Sequence, residues 1–346
     1  MVVVEVIEMT DRLFERYDVV VIGGGPAGLS GALVLARARR AVVVIDAGAP
    51  RNAAAAAVHG LLGLDGIRPA ELLQRGRAEV RRYGGHVVAG DVVTAVGDGA
   101  GFRVALAGGE TVRSRRLLVA TGLFDELPDI PGLRARWGRD VVHCPYCHGW
   151  EVRDGAIGVL ASGPMSVHQA LLFRQWSPDV TYFSHTLPPT AEQAEQLAAR
   201  GIRVANGQVT SVEVVDGRLV GVRLHGRVVG RQVLAVAPRV AVRAGFLTEL
   251  GLRAADHPSG AGEYLPCEPN GRTAVPGVWV AGNVTDPAAQ VGSAAAAGAA
   301  AAAAINADLV AQETAGALAA DRDPFSAKSE ARVCELVTDA RRRHGL

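Results

Sequence analysis

The stretch that most restricts the fold is Gly23-Gly24-Gly25-Pro26-Ala27-Gly28, which follows a β-branched run at 17–22 and opens a helical pattern at 29–38. The first glycine permits a tight turn, Gly25 lets backbone approach a pyrophosphate, and Gly28 lets helix and strand pack closely. The helix N-terminus adds partial positive charge. A glycine run by itself fits any tight turn. Here a second apolar run, 41–45, ends in Asp46, an acid at about the 20-residue distance that suits an adenosine ribose. Together these predict a βαβ unit and a dinucleotide site at the carboxyl end of its strands.

The remaining pattern extends the α/β reading. Short alternating runs fill 85–119, broken by Gly97-Asp98-Gly99-Ala100-Gly101 and Gly108-Gly109, and end in a buried strand before the small-residue turn Ala120-Thr121-Gly122. Residues 48–60 lack periodicity, as binding loops in compact domains do; His59 there is either a site residue or a packed surface histidine. A second nucleotide-fold pattern starts with a strand at 155–160, continues at 180–185, and includes a hairpin at 209–224 about Asp216-Gly217. An amphipathic helix is expected at 326–343, its end Arg341-Arg342-Arg343 matching the helix dipole. With 346 residues there is chain enough for two cores.

A net charge of +1 makes no case for nucleic acid or an anionic membrane. The alanine-rich run 293–304 reads as too short and too weakly apolar to span a bilayer. Residues 1–16 lack a basic region followed by an apolar core, so no leader and a cytoplasmic location are expected. Cys144 and Cys147 stand two residues apart in His143-Cys144-Pro145-Tyr146-Cys147-His148-Gly149-Trp150-Glu151. Such a pair closes a small disulfide ring and often has one acidic thiol, so it can exchange electrons with a dithiol. Half a zinc site, with His143 and His148 as further ligands, is the alternative, and inert packing a third. Structural zinc generally takes a second close pair, whereas Cys267 and Cys334 are single, far apart and read as semi-buried. No metal is therefore expected.

The glycine fingerprint, Arg51-Asn52, His59-Gly60, Ala120-Thr121-Gly122, Ile130-Pro131-Gly132 and the Cys-x-x-Cys together resemble the low-molecular-weight thioredoxin reductase family. Val275-Pro276-Gly277-Val278-Trp279-Val280-Ala281-Gly282-Asn283, with Gln290 and an Ala/Gly helix, resembles its second flavin segment, so the likeness covers about 17–309. The resemblance implies two Rossmann-like domains: a discontinuous FAD domain at 1–126 and 251–315, an inserted NADPH-type domain at 127–250, and a tail at 316–346. It implies a homodimer, with Cys147 nearer the flavin and Cys144 attacking substrate. It also implies FAD contacts from Gly23, Gly25, Pro26, Ala27, Gly28, Asp46, Arg51, Asn52, His59, Val93, Ala120, Thr121, Gly122, Gly282, Asn283, Gln290 and Val291. Asn283 stands where the family usually has Asp; an amide can still bond a ribitol hydroxyl.

Two departures redirect the expected chemistry. Ala161-Ser162-Gly163-Pro164-Met165-Ser166 replaces the reductases' glycine-rich NADPH turn, and Thr186-Leu187 replaces the two arginines that follow the histidine there, removing the cations an adenosine 2′-phosphate needs. His148 stands where the reductases place an acid, and histidine accepts protons near neutrality; capping a helix is its other reading. Cys-Pro-Tyr-Cys-His-Gly-Trp-Glu resembles the branch of dithiol oxidases that close gliotoxin-, holomycin- and romidepsin-type disulfides, with the overall likeness leaning to the holomycin type. Implied is FAD-dependent oxidation of a small hydrophobic dithiol, with catalysis by Cys144, Cys147 and His148 and O2 reduced to H2O2. Phe124 and Trp150 beside the motif suit an apolar substrate or a core. An NADPH-dependent thioredoxin reductase and a non-catalytic thiol sensor remain open.

Overall fold

The computed structural model describes residues 11–322 and 326–344. Residues 1–10, on which the expectation about a leader mostly rests, and the side chains of Arg341-Arg342-Arg343 lie outside the described residues. The chain begins with β1 (Arg16–Ile22), α1 (Pro26–Arg37), β2 (Val42–Asp46), α2 (Pro69–Arg82), β3 (His86–Ala89), β4 (Val92–Gly97), β5 (Phe102–Leu106) and β6 (Thr111–Val119). The strands form one sheet in the order β3-β2-β1-β6-β5-β4. Val19 to Ile22 and Val42 to Ile45 are buried residue after residue, because helices pack on one face of this sheet and side chains of the β4-β5 arm and of the chain at 244–284 on the other. That is why the sequence shows unbroken apolar runs there.

The chain then leaves along β7 (Leu123–Glu126) and, past α3 (Leu133–Arg136), builds a second sheet. Its parallel strands are β8 (Val141–Val142), β9 (Ile157–Leu160), β10 (Val180–Phe183), β11 (Arg203–Ala205) and, further on, a strand at Val233–Val236, with the redox helix α4 (Pro145–His148), α5 (Ser166–Phe173) and α6 (Ala191–Ala199) between them. A three-stranded antiparallel meander, β12 (Val209–Val215), β13 (Arg218–Leu224) and β14 (Arg227–Gly230), precedes that strand, now β15. The hairpin turn is where expected, with Asp216 and Gly217 both at positive φ. β16 (Arg239–Val242) returns antiparallel to β7, so a two-stranded ribbon joins the two halves. After the short pair β17 (Ala255–Asp256) and β18 (Glu263–Tyr264), β19 (Val278–Val280) rejoins the first sheet beside β6.

The last segment is longer than the sequence suggests. α7 (Val291–Arg322) runs 32 residues, followed by α8 (Ala327–His344). The helical stretch that begins at Val291 contains a window of mean hydropathy 1.5, long and apolar enough by length and composition to cross a membrane, where the run 293–304 alone is too short. Its small residues have another use. A Cβ on Gly298 would lie 1.9 Å from the Ala27 carbonyl oxygen, so only glycine lets α7 cross α1 this closely. Ala294, Ala301, Ala302, Ile305 and Leu309 then bury the same face of α7 in the core beneath the first sheet. Beyond it, Glu313 accepts from Arg40 and from Arg115, each at 2.6 Å, tying the projecting end of α7 to the sheet.

Candidate functional site

A cleft of about 1260 Å³ runs from the carboxyl ends of β1 and β2 to the redox helix of the second sheet. At one end α1 starts at Gly25 with no side-chain cap and no acid in its first turn, and α7 likewise starts without one. Two helix N-termini therefore present partial positive charge to the cleft, that of α1 with its amides uncapped by any side chain. A Cβ on Gly25 would meet nothing within 4 Å, so the space above its backbone is open to a close-lying ligand. Gly28 does not line the cleft; its Cβ would fall 1.9 Å from the Gly23 carbonyl oxygen, which makes it a packing residue. Gly282 also lies behind the wall, against Ala27.

The other expected residues, Gly23, Pro26, Ala27, Asp46, Arg51, Asn52, His59, Val93, Ala120, Thr121, Gly122, Asn283, Gln290 and Val291, all line the cleft, as do Cys144, Cys147 and His148. Asp46 holds the Gly48 amide (3.2 Å) and Arg77 (3.2 Å) at the end of β2. Asn283 spends its Nδ2 on the carbonyls of Asp286 (3.0 Å) and Ala289 (2.9 Å), which leaves Oδ1 as the group free to accept a hydroxyl. Thr121 Oγ1 is buried with no partner among the described residues. Arg51 is not free: its Nε and Nη2 grip both oxygens of Asp125, at 2.6 Å for the shortest contact, an acid in the β7 ribbon that no sequence pattern marks. His59 bridges Asp65 and Glu151, each at 3.4 Å, and so ties the irregular loop to the chain after the redox pair.

Cys144 and Cys147 are joined in a disulfide, Cα to Cα 5.2 Å. Pro145 starts the helical turn between them, and the amides of Cys147 and His148 both donate to the Cys144 carbonyl at 3.2 Å. His148 closes the turn. Its ring is largely buried, its Nδ1 has no hydrogen-bond partner, and burial holds it below the ordinary histidine pKa of 6.5 while the charge of Glu151 works the other way. Neutral imidazole is thus its resting form at pH 7. A second imidazole, which the sequence offers only as a possible zinc ligand, stands just before Cys144. His143 is also held down, first by burial and then by the charge of Arg51. Its Nδ1 lies 3.1 Å from the Val236 carbonyl, and a carbonyl can only accept; Nδ1 therefore carries the proton, which leaves Nε2 with the lone pair. Gln169 of α5 donates to the His143 carbonyl at 2.6 Å and fixes the strand end from which the pair projects.

The turn before α5 is filled from within. The amides of Ser162 and Gly163 each lie 3.2 Å from Ser166 Oγ, and Ser162 Oγ donates to Ala237 at 2.9 Å. His185, at the end of β10, accepts from the Val209 amide at 3.1 Å, and Thr186 and Leu187 bring no cation after it. Two smaller expectations need correction. Phe124 and Trp150 neither line the cleft nor fill a core; both are exposed, Trp150 with Arg153 stacked 4.2 Å over its ring. Cys267 and Cys334 are exposed, the first in irregular chain past β18 and the second on α8, which contributes little to any core. Among the described residues no three His, Cys, Asp or Glu side chains gather as a metal site.

Known proteins share this arrangement. The profile of the pyridine nucleotide-disulphide oxidoreductase family matches residues 17–303. A thioredoxin reductase named tcpT from Claviceps purpurea is 36% identical over 279 residues, covering 77% of this chain and 86% of its own. Another, sirT from Leptosphaeria maculans, is 31% identical over 294 residues, covering 80% and 89%. Among solved structures, HlmI superimposes with a TM-score of 0.83 at 47% identity over 90% of this chain and 98% of its own. A fingerprint built on β1 and α1, a disulfide facing the same cleft and these relatives agree: the chain belongs to the pyridine nucleotide-disulphide oxidoreductase family, as a thioredoxin reductase-like disulfide oxidoreductase.

Proposed function

We propose that this chain is an FAD-dependent dithiol oxidase, which converts a small apolar dithiol to its cyclic disulfide and O2 to H2O2. FAD fits the cleft: the uncapped start of α1 suits its pyrophosphate, Asp46 its ribose, and Asn283 Oδ1 and the buried Thr121 hydroxyl are polar groups with capacity to spare. The observation that carries the direction of electron flow is Ser166. In a reductase the amides before the second nucleotide helix would hold NADPH phosphates; here Ser166 Oγ already takes two of them. A dithiol substrate brings its own electrons, so the missing cradle costs the reaction nothing.

One substrate thiol gives its proton to neutral His148, which passes it on to solvent, as its sulfur attacks Cys144 Sγ; the Cys144–Cys147 bond breaks, and Cys147 leaves as a thiolate. The second substrate thiol gives its proton to neutral His148 and displaces Cys144, closing the product disulfide. Two electrons then rest on the cysteine pair. The chemistry that FAD supplies when bound is acceptance of that pair and its transfer to O2. His143, which lines the same cleft with Nε2 unprotonated, is a second acceptor for thiol protons. The proposal includes a cytoplasmic homodimer, as the resemblance implies, with no nucleic acid or membrane partner.

A Cys144→Ser variant tests the conduit. It should purify yellow, with an unchanged flavin spectrum, and consume no O2 when given a dithiol. Sustained oxidation by the variant would remove the disulfide from the mechanism.

A further inference from the structure

Where the redox turn meets α5 and α6, a second groove of about 730 Å³ opens on the outer side. Tyr146 and Leu172 belong to the walls of both spaces, so the groove adjoins the cleft that holds the disulfide. Trp176 fixes its position relative to the redox pair. A Cβ on Gly149 would lie 2.7 Å from the Trp176 ring, so the indole rests directly on the backbone that ends the Cys-x-x-Cys turn. Tyr146 meets that ring edge-on at 5.8 Å. The far wall is Gln196 and Arg200, and among the described residues Arg200 is the only charged one lining the groove. Among the described residues its guanidinium has no hydrogen-bond or ion-pair partner, while its backbone carbonyl accepts from Arg174 at 2.9 Å.

We propose that this groove is a substrate subsite, which seats an apolar arm of the dithiol and pairs Arg200 with a carboxylate at the end of that arm. The inference rests on the dithiol-oxidase reading and narrows its substrate class. Aromatic and aliphatic walls favour an apolar chain, and a single unpaired cation at their end selects for an anion. Both thiols stay at the disulfide while the arm leaves across Tyr146 and Leu172. A competing role for Arg200 is structural, since it caps the C-terminal end of α6, where a cation is favourable. That role would affect every substrate alike.

Dihydrolipoate and dihydrolipoamide carry the same dithiol and differ in a carboxylate against a neutral amide, so O2 uptake with each isolates the charge. The wild-type protein should prefer dihydrolipoate in kcat/KM, through KM rather than kcat, and the preference should shrink as salt is raised. Arg200→Gln should cut kcat/KM for dihydrolipoate by about tenfold and leave dihydrolipoamide unchanged, and Arg200→Glu should reverse the preference. An unchanged ratio of the two substrates in both variants overturns the subsite and leaves the oxidase reading standing. Equal loss for both substrates assigns Arg200 the structural role and also overturns it. If the wild-type protein oxidises neither dithiol, the oxidase reading falls and the subsite with it.

Discussion

Replacing His148 by Asn removes a proton acceptor and keeps a polar side chain of similar reach, and the size of the loss should depend on pH in a calculable way. A substrate thiol with an ordinary pKa of about 8.5 is about 1% thiolate at pH 6.5 and about 10% at pH 7.5. An enzyme without a base must wait for that thiolate, so its kcat/KM climbs about tenfold per pH unit across the range. One whose buried imidazole is neutral takes the proton itself, and its kcat/KM is flat until the imidazole protonates. Burial holds His148 below 6.5, so the wild-type plateau should reach below that pH before the acid fall begins. The deficit of His148→Asn should therefore be about 100-fold at pH 6.5 and about tenfold at pH 7.5. Initial O2 uptake at low dithiol concentration, measured across pH 5.5 to about 8.5, reads it directly. A variant that keeps the flat plateau refutes the assignment. If His143→Asn loses the plateau instead, the proton goes to Nε2 of that ring.

Two further outcomes test the frame that holds the site. Gly298→Val places a branched side chain against the Ala27 carbonyl, where even a Cβ has only 1.9 Å, and should cost about 3 kcal/mol or lower Tm by about 6–12 °C; an unchanged Tm would mean that α1 and α7 do not cross there. Glu313, held down to a pKa of about 2 by its hydrogen bonds to Arg40 and Arg115, is charged in the folded state well below its ordinary 4.5. Its contribution is complete above about pH 4.5 and lost as pH falls toward 2, so the Tm gap between wild type and Glu313→Gln should close over that window. A gap independent of pH would contradict the pairing.

The parts of the molecule written in local sequence were legible. The βαβ start, the Asp46 position and the redox turn each depend on residues within a few turns of chain, so spacing alone places them. What escaped depends on partners far away. Arg51 finds Asp125 across 74 residues, and the His143 tautomer is set by a carbonyl 93 residues on. Neither leaves a mark at the position itself. Ser166 lay within reach of a local reading, because a serine three or four residues past two turn amides is well placed to cap them, yet its residue type says nothing about whether a phosphate or the serine takes them. The alanine run was read as a short segment because small side chains carry a weak hydropathic signal, although they are what allows α7 to press against α1.

The direction of electron flow can be read from the visible spectrum of the purified protein under argon. Addition of a small dithiol should bleach the flavin band, and admission of air should restore it with H2O2 formed equimolar to the dithiol oxidised, while NADPH alone should leave the band unchanged. Rapid bleaching by NADPH, with electrons passed on to thioredoxin and none accepted from the dithiol, would contradict the account.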